Sequence, residues 1–119
     1  MQRWLLDFQR AIRGEDYEQG RKLFHPNVVA FGTSVNRADS LDALEECQWK
    51  VRWPNNASFE YLVKEAKVIP APGMFVVAIE WFVKSKIIRG SPRTGRATIV
   101  LGDFEGKLLG LHTHHSKHL

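Results

Sequence analysis

The sequence predicts an α+β fold in which N-terminal helices pack on a strongly curved, mainly antiparallel sheet, forming a cone with a central pocket. Apolar residues in the first half recur at helical spacing, and from Ala57 onward they give way to long β-rich runs separated by turn signals. A long antiparallel meander also twists until it curls, and helices that precede it in the chain can cover only its concave side.

Each element has its own signal. Trp4, Leu5, Phe8, Ala11 and Ile12 repeat at three- and four-residue spacing, and Gly14 closes that helix. Glu15 and Asp16 suit the first turn of a second helix with Tyr17, Leu23 and Phe24 as its apolar surface; Pro26 stops it. A short strand is expected from Val28 to Phe31. A third helix is expected between Ala38 and Trp53, capped by Asp39 or Ser40. Leu41, Leu44, Cys47 or Gln48, and Val51 would form one stripe, with Trp49 and Trp53 on the neighbouring one. Ser58 to Ile69 reads as a strand, followed by a Pro-Ala-Pro-Gly turn. Met74 to Arg89 reads as a strand too long to stay flat, so a bend or bulge is expected. Gly90 to Gly95 reads as a connection, Arg96 to Phe104 as a strand, Glu105-Gly106 as a tight turn, and Lys107 onward as the last strand. No repeat, linker or composition break interrupts the 119 residues, so 1–119 reads as one domain.

Composition narrows the function. An apolar fraction of 44% with 25% charged residues describes a globular chain rather than a disordered one. The opening MQRWLLDFQRAIRGED carries charges every few residues, unlike a signal peptide or a membrane span, so a cytoplasmic protein with no membrane partner is expected. The single cysteine, Cys47, excludes an internal disulfide and a Cys-rich zinc site. The net charge of +4 invites a nucleic-acid reading. Against it, the basic residues are scattered among acidic ones, and the densest cluster, Lys84 to Arg96, has no interleaved aromatics on which bases could stack. No Gly-rich phosphate loop is present, and no cofactor is expected.

The terminal LHTHHSKHL holds four of the five histidines. Strand alternation puts Gly110, His112, His114 and Ser116 on one face, and Leu109, Leu111, Thr113 and His115 on the other. Same-face histidines lie about 7 Å apart at the backbone, close enough to share a metal ion or flank a small ligand, and Gly110 beside them leaves either room for a ligand or a bulge. A metal would need a third ligand, and Glu80, Asp103 and His25 stand in no diagnostic spacing to the pair, so no metal is expected. A histidine can instead be set as acid or base by modest desolvation or a carboxylate neighbour. The competing reading is that the two histidines and Ser116 only satisfy each other and the backbone.

The element order and four local patterns resemble the SnoaL-like, nuclear transport factor 2-like superfamily, also described as the cystatin-like cone fold. They are FGTS from Phe31 to Ser34, Trp49 with Trp53-Pro54, GRATIVL from Gly95 to Leu101, and LHTHHS from Leu111 to Ser116. The last two are similar to the Gly-Arg-x-Thr and terminal His-x-His-x-Ser strands of one branch. In that branch a tryptophan usually stands where this chain has Leu108, and a branched residue where it has Gly110. The resemblance implies that the face of Gly110, His112 and His114 looks into the cone, and it makes Arg96 notable.

Two function classes follow. The first is a cofactor-independent isomerase, cyclase, dehydratase or hydrolase acting on a small, partly apolar molecule. Its catalytic candidates are His112 or His114 as acid or base and Arg96 anchoring an oxygen. Trp49, Trp53, Trp81, Phe31, Ser116 and Glu80 are its ligand-binding candidates. Glu80, inside the apolar run VVAIEWFV, must be paired or have its pKa raised, unless it faces solvent or a partner. The second class is a non-catalytic ligand-binding or homo-oligomerisation module. Under either, a homodimer through the convex sheet face is expected, using Val77, Ile79, Val83 or their alternates.

Overall fold

In the computed structural model of the chain, residues 1–85 and 93–118 are described. Helix α1 (Gln2–Arg13) buries Trp4, Leu5, Phe8, Ala11 and Ile12, the stripe its spacing dictates. Helix α2 (Tyr17–Arg21) is capped by Asp16, whose carboxylate accepts from Gln19 N at 3.1 Å. It is shorter than expected, because Phe24 leaves it to open strand β1 (Phe24–Phe31) and enters the core at 3% exposure.

Helix α3 (Leu41–Leu44) starts at Ser40, whose hydroxyl accepts from Ala43 N. It then passes through a π-helical turn, Glu45–Trp49, into α4 (Lys50–Arg52) and a 3-10 turn, Trp53–Asn55. The π turn changes which residues are buried. It adds a residue to the turn, so the apolar stripe steps from Leu44 to Trp49 and on to Trp53, while Cys47 and Val51 face outward.

Strands β2 (Asn56–Tyr61), β3 (Lys67–Ala71), β4 (Met74–Ser85), β5 (Arg93–Phe104) and β6 (Lys107–Lys117) complete one open sheet with the order β1-β6-β5-β4-β2. The expected strand from Ser58 to Ile69 is thus two strands split by a 3-10 turn at Val63–Glu65. The break lets β2 pair with the second half of β4 and β3 with the first, so each follows only part of a twisted twelve-residue strand. Strand β4 keeps unbroken register with β5 from Met74 to Val83, and the irregularities fall in other pairings. Of the connection expected over Gly90 to Gly95, Arg93 to Gly95 are already strand; 90–92 lie outside the described residues, as do 86–89 of the expected Met74–Arg89 strand. The basic cluster Lys84 to Arg96 falls largely in the same gap.

The helices cover the concave side. Val77, Ile79, Trp81 and Val83 of β4 and Ala97, Ile99 and Leu101 of β5 meet Leu5, Phe8 and Ile12 in one core cluster, and Leu5, Val77, Ile99 and Leu101 have no exposed surface. Among the described residues no helix is long and apolar enough to cross a membrane.

Candidate functional site

Strand β6 carries the feature that decides which histidines enter the cone. Its antiparallel register with β5 is broken between Val100, opposite His112, and Leu101, opposite Gly110, so Leu111 is an extra residue. A one-residue bulge reverses the alternation beyond it. Gly110 stays on the inner face opposite buried Leu101, and the inner residues that follow are Thr113, opposite Ile99, and His115, opposite Ala97. His112, His114 and Ser116 face outward, opposite Val100, Thr98 and Arg96. The expected shared face of Gly110, His112 and His114 is therefore divided, and the histidine inside is His115. Gly110 is needed for a close approach: a Cβ there would lie 2.5 Å from the Phe24 ring.

The inner face lines a cavity of about 70 Å³ open at one end of the cone. Phe8, Ile12, Phe59 and Val83 join Trp49, Trp53 and Trp81 as its apolar wall, and Thr33, Gln48, Arg52, Asn56 and His115 contribute polar groups. All three tryptophans line this cavity. Trp49 and Trp53 stack at 4.6 Å, and Tyr17 of α2 continues the stack on Trp53 at 5.2 Å. Trp81 lies flat over Gly95, where a Cβ would meet its ring at 2.1 Å, and its indole N–H donates to Arg96 O. Gln48 ties the Phe31–Ser34 loop to the helical layer: its Nε2 donates to Thr33 Oγ1 at 2.9 Å, and its Oε1 accepts from Ser34 N at 2.7 Å.

One polar pair joins this wall to the core behind it. Tyr61 Oη and His115 Nε2 are 2.7 Å apart. Tyr61 is 2% exposed, and Gln9 of α1 holds its backbone by accepting from Tyr61 N at 2.8 Å. Burial pushes the His115 imidazole down to about 4, with the nearby His114 adding to the effect, and burial pushes the Tyr61 phenol well above its ordinary value. Both groups are therefore neutral near pH 7. A buried phenol proton needs an acceptor, and Nε2 of a neutral imidazole supplies one, which leaves the ring proton on Nδ1.

The remaining expected residues lie on the convex face. His112 Nδ1 donates to Val29 O at 2.7 Å, and Phe31 sets its ring edge-on to both His112 and His114, at 5.4 and 5.3 Å. Glu80 is paired across strands with Arg96, and its carboxylate is 3.8 Å from His118 Nε2. Glu80, Arg96, His114 and Ser116 share a broad open groove with Glu65 and Lys67. That brings four of the named candidates together, on the side of the sheet away from the tryptophans. Among the described residues no group of three histidine, cysteine or carboxylate side chains is placed to hold a metal.

His115, Tyr61 and Arg52 escaped the sequence reading. Gly110 can mark either room for a ligand or a bulge, and only the pairing with β5 decides between them; Tyr61 reaches His115 only through strand pairing across the sheet. The Phe-Gly-Thr pattern did mark this region, but the residue it delivers to the cavity is Thr33 rather than Phe31, which is 38% exposed on the outer side.

The order of helices, the open curved sheet and the pocket between them define the nuclear transport factor 2-like, or cystatin-like, fold. The chain superposes on a nuclear transport factor 2-like superfamily protein of Salmonella enterica serovar Typhimurium with a TM-score of 0.82 at 13% identity, covering 99% of this chain and 88% of that one. A Nostoc punctiforme protein of unknown function with a cystatin-like fold gives 0.80 at 11% identity, over 98% and 86%. A ketosteroid isomerase-like protein from Erwinia carotovora atroseptica gives 0.78 at 16%, over 97% and 91%. At such identities the likeness is one of fold. No protein-family model matches the sequence, and no curated protein does.

Proposed function

We propose that the concave pocket binds a small, flat, partly apolar molecule through the three tryptophans, and that His115, backed by Tyr61, donates a hydrogen bond from Nδ1 to an oxygen of that ligand. The observation that carries this reading is the 2.7 Å contact between two neutral groups, one of which lines the cavity. A neutral imidazole with a depressed pKa is a poor base and a good fixed donor. The chemistry it suits is polarisation of a carbonyl oxygen, as isomerisation, cyclisation, dehydration or hydrolysis without a cofactor would use it. A fold shared with a ketosteroid isomerase-like protein is compatible with such a role.

A second reading, ligand binding without turnover, is favoured by the lining itself: among the described residues no carboxylate faces the cavity to act as base. Both readings share the ligand site. A thermal-shift screen of small carbonyl compounds on the wild type, His115→Asn and His114→Ala tests it. A hit should stabilise the wild type and His114→Ala and lose its effect in His115→Asn. A hit that is indifferent to His115→Asn removes the pair from the site. Turnover of the hit then separates enzyme from binding module.

We propose that the convex face docks a second copy of the chain. Val77, Ile79 and Val83 are spent in the core, so their alternates, Val76 and Phe82, join exposed Phe31 on this side. Apolar groups left half-covered across a broad sheet suit a homodimer interface better than bulk water.

A further inference from the structure

We infer that the pocket's ligand is an anion, a small planar carboxylate whose charged end is held at the mouth by Arg52 and Arg93 while its flat body lies among the tryptophans. This rests on the reading of the cavity as a ligand site and adds the chemical class.

Register places the second arginine. Arg93 is paired with Val83, so it extends from the inner face beside a residue that lines the cavity. Two residues along, Gly95 on the same face carries the ring of Trp81. Arg52 comes from the opposite layer, at the end of α4, and is itself part of the lining. The two cations feel each other: the Arg52 guanidinium is shifted down by burial and further by the charge of Arg93.

Among the described residues neither charge has an ion-pair partner. The ion pairs among the described residues occupy Arg3, Arg10, Arg13, Arg21 and Arg37, and none involves Arg52 or Arg93. Arg93 Nε is sealed from solvent without a hydrogen-bond partner. Residues 86–92, KIIRGSP, contain no aspartate or glutamate, so that segment supplies no side-chain carboxylate. Two guanidinium groups that repel each other, one carrying a buried orphan donor, work against the resting protein. They become favourable when an anion arrives, because a guanidinium fork matches a carboxylate with two parallel N–H···O bonds. Asn56, in the lining with Arg52, adds a neutral amide. The aromatic wall and the small volume favour a flat acid over a phosphate ester or a long-chain acid.

Benzoate and its neutral isostere benzamide test this, with quenching of tryptophan fluorescence as the readout. Benzoate should bind the wild type at least about tenfold more tightly than benzamide, the margin expected for a charged hydrogen-bonded pair. Arg52→Gln and Arg93→Gln should each erase most of that preference. Without ligand, both variants should melt a few degrees higher than the wild type, since each relieves repulsion. Equal binding of benzoate and benzamide would overturn the anion assignment and leave the pocket reading standing. Failure of both to bind at millimolar concentration would overturn the pocket reading and this inference with it. A lowered melting temperature in both variants would show that the arginines hold protein partners, and would also overturn it.

Discussion

The Tyr61 hydroxyl and His115 Nε2 lie 2.7 Å apart, on strands at different positions in the sheet that meet only because the sheet curls. Removing one partner strands the other in a buried setting. Tyr61→Phe should cost about 1–3 kcal/mol in urea denaturation, the penalty of a buried group left unsatisfied. Combining it with His115→Leu should cost less than the sum of the two single changes, because the pair is lost as a unit. Additive losses would mean that the contact contributes nothing to stability.

Stability should also depend on pH through His115. An unfolded histidine titrates near 6.5, whereas burial holds this one at about 4. Between these values the unfolded chain binds a proton that the folded chain refuses. The contribution is complete above about pH 6.5 and is lost as pH falls toward 4, at up to about 1.4 kcal/mol per pH unit. Carboxylates titrate in the lower part of that window, so the quantity to follow is wild type minus His115→Asn. A flat difference curve from pH 7 to 4 would contradict the assigned burial.

Trp81 owes its position to Gly95. A methyl group there would meet the indole at 2.1 Å and Ser116 O at 2.4 Å, one a ring and the other backbone. Gly95→Ala should therefore destabilise the protein by about 1–3 kcal/mol, as overpacking of a filled core does. It should also shift the tryptophan emission. Wild-type stability with unchanged emission would place Trp81 elsewhere.

Phe31, His112 and His114 form an aromatic cluster on the convex face, with Phe31 and His114 exposed and His112 half-buried. If that face joins two copies, Phe31→Asp should convert dimer to monomer in sedimentation velocity and leave small-molecule binding intact. A wild type that is monomeric at high micromolar concentration contradicts the interface.

The general architecture was legible because its signals are local. The α1 stripe, the Ser40 cap and the Glu105-Gly106 turn each need only a few neighbouring residues, and together they order the elements of the cone. The three tryptophans line the cavity, although the helix that carries two of them winds differently from the expected one. What the local signals left undecided were irregularities inside elements. The π turn at Glu45–Trp49, the break after Tyr61 and the bulge at Leu111 each answer to packing against distant strands and helices. The last of these matters most, because one added residue exchanged the inner and outer histidines.

The most direct measurement is therefore a histidine-ring NMR spectrum recorded while benzoate is added to saturation. The His115 ring resonances should move with the ligand, while those of His112 and His114, on the opposite face of the sheet, stay in place. Movement of His112 and His114 with His115 unchanged would put the ligand on the convex groove and contradict the account.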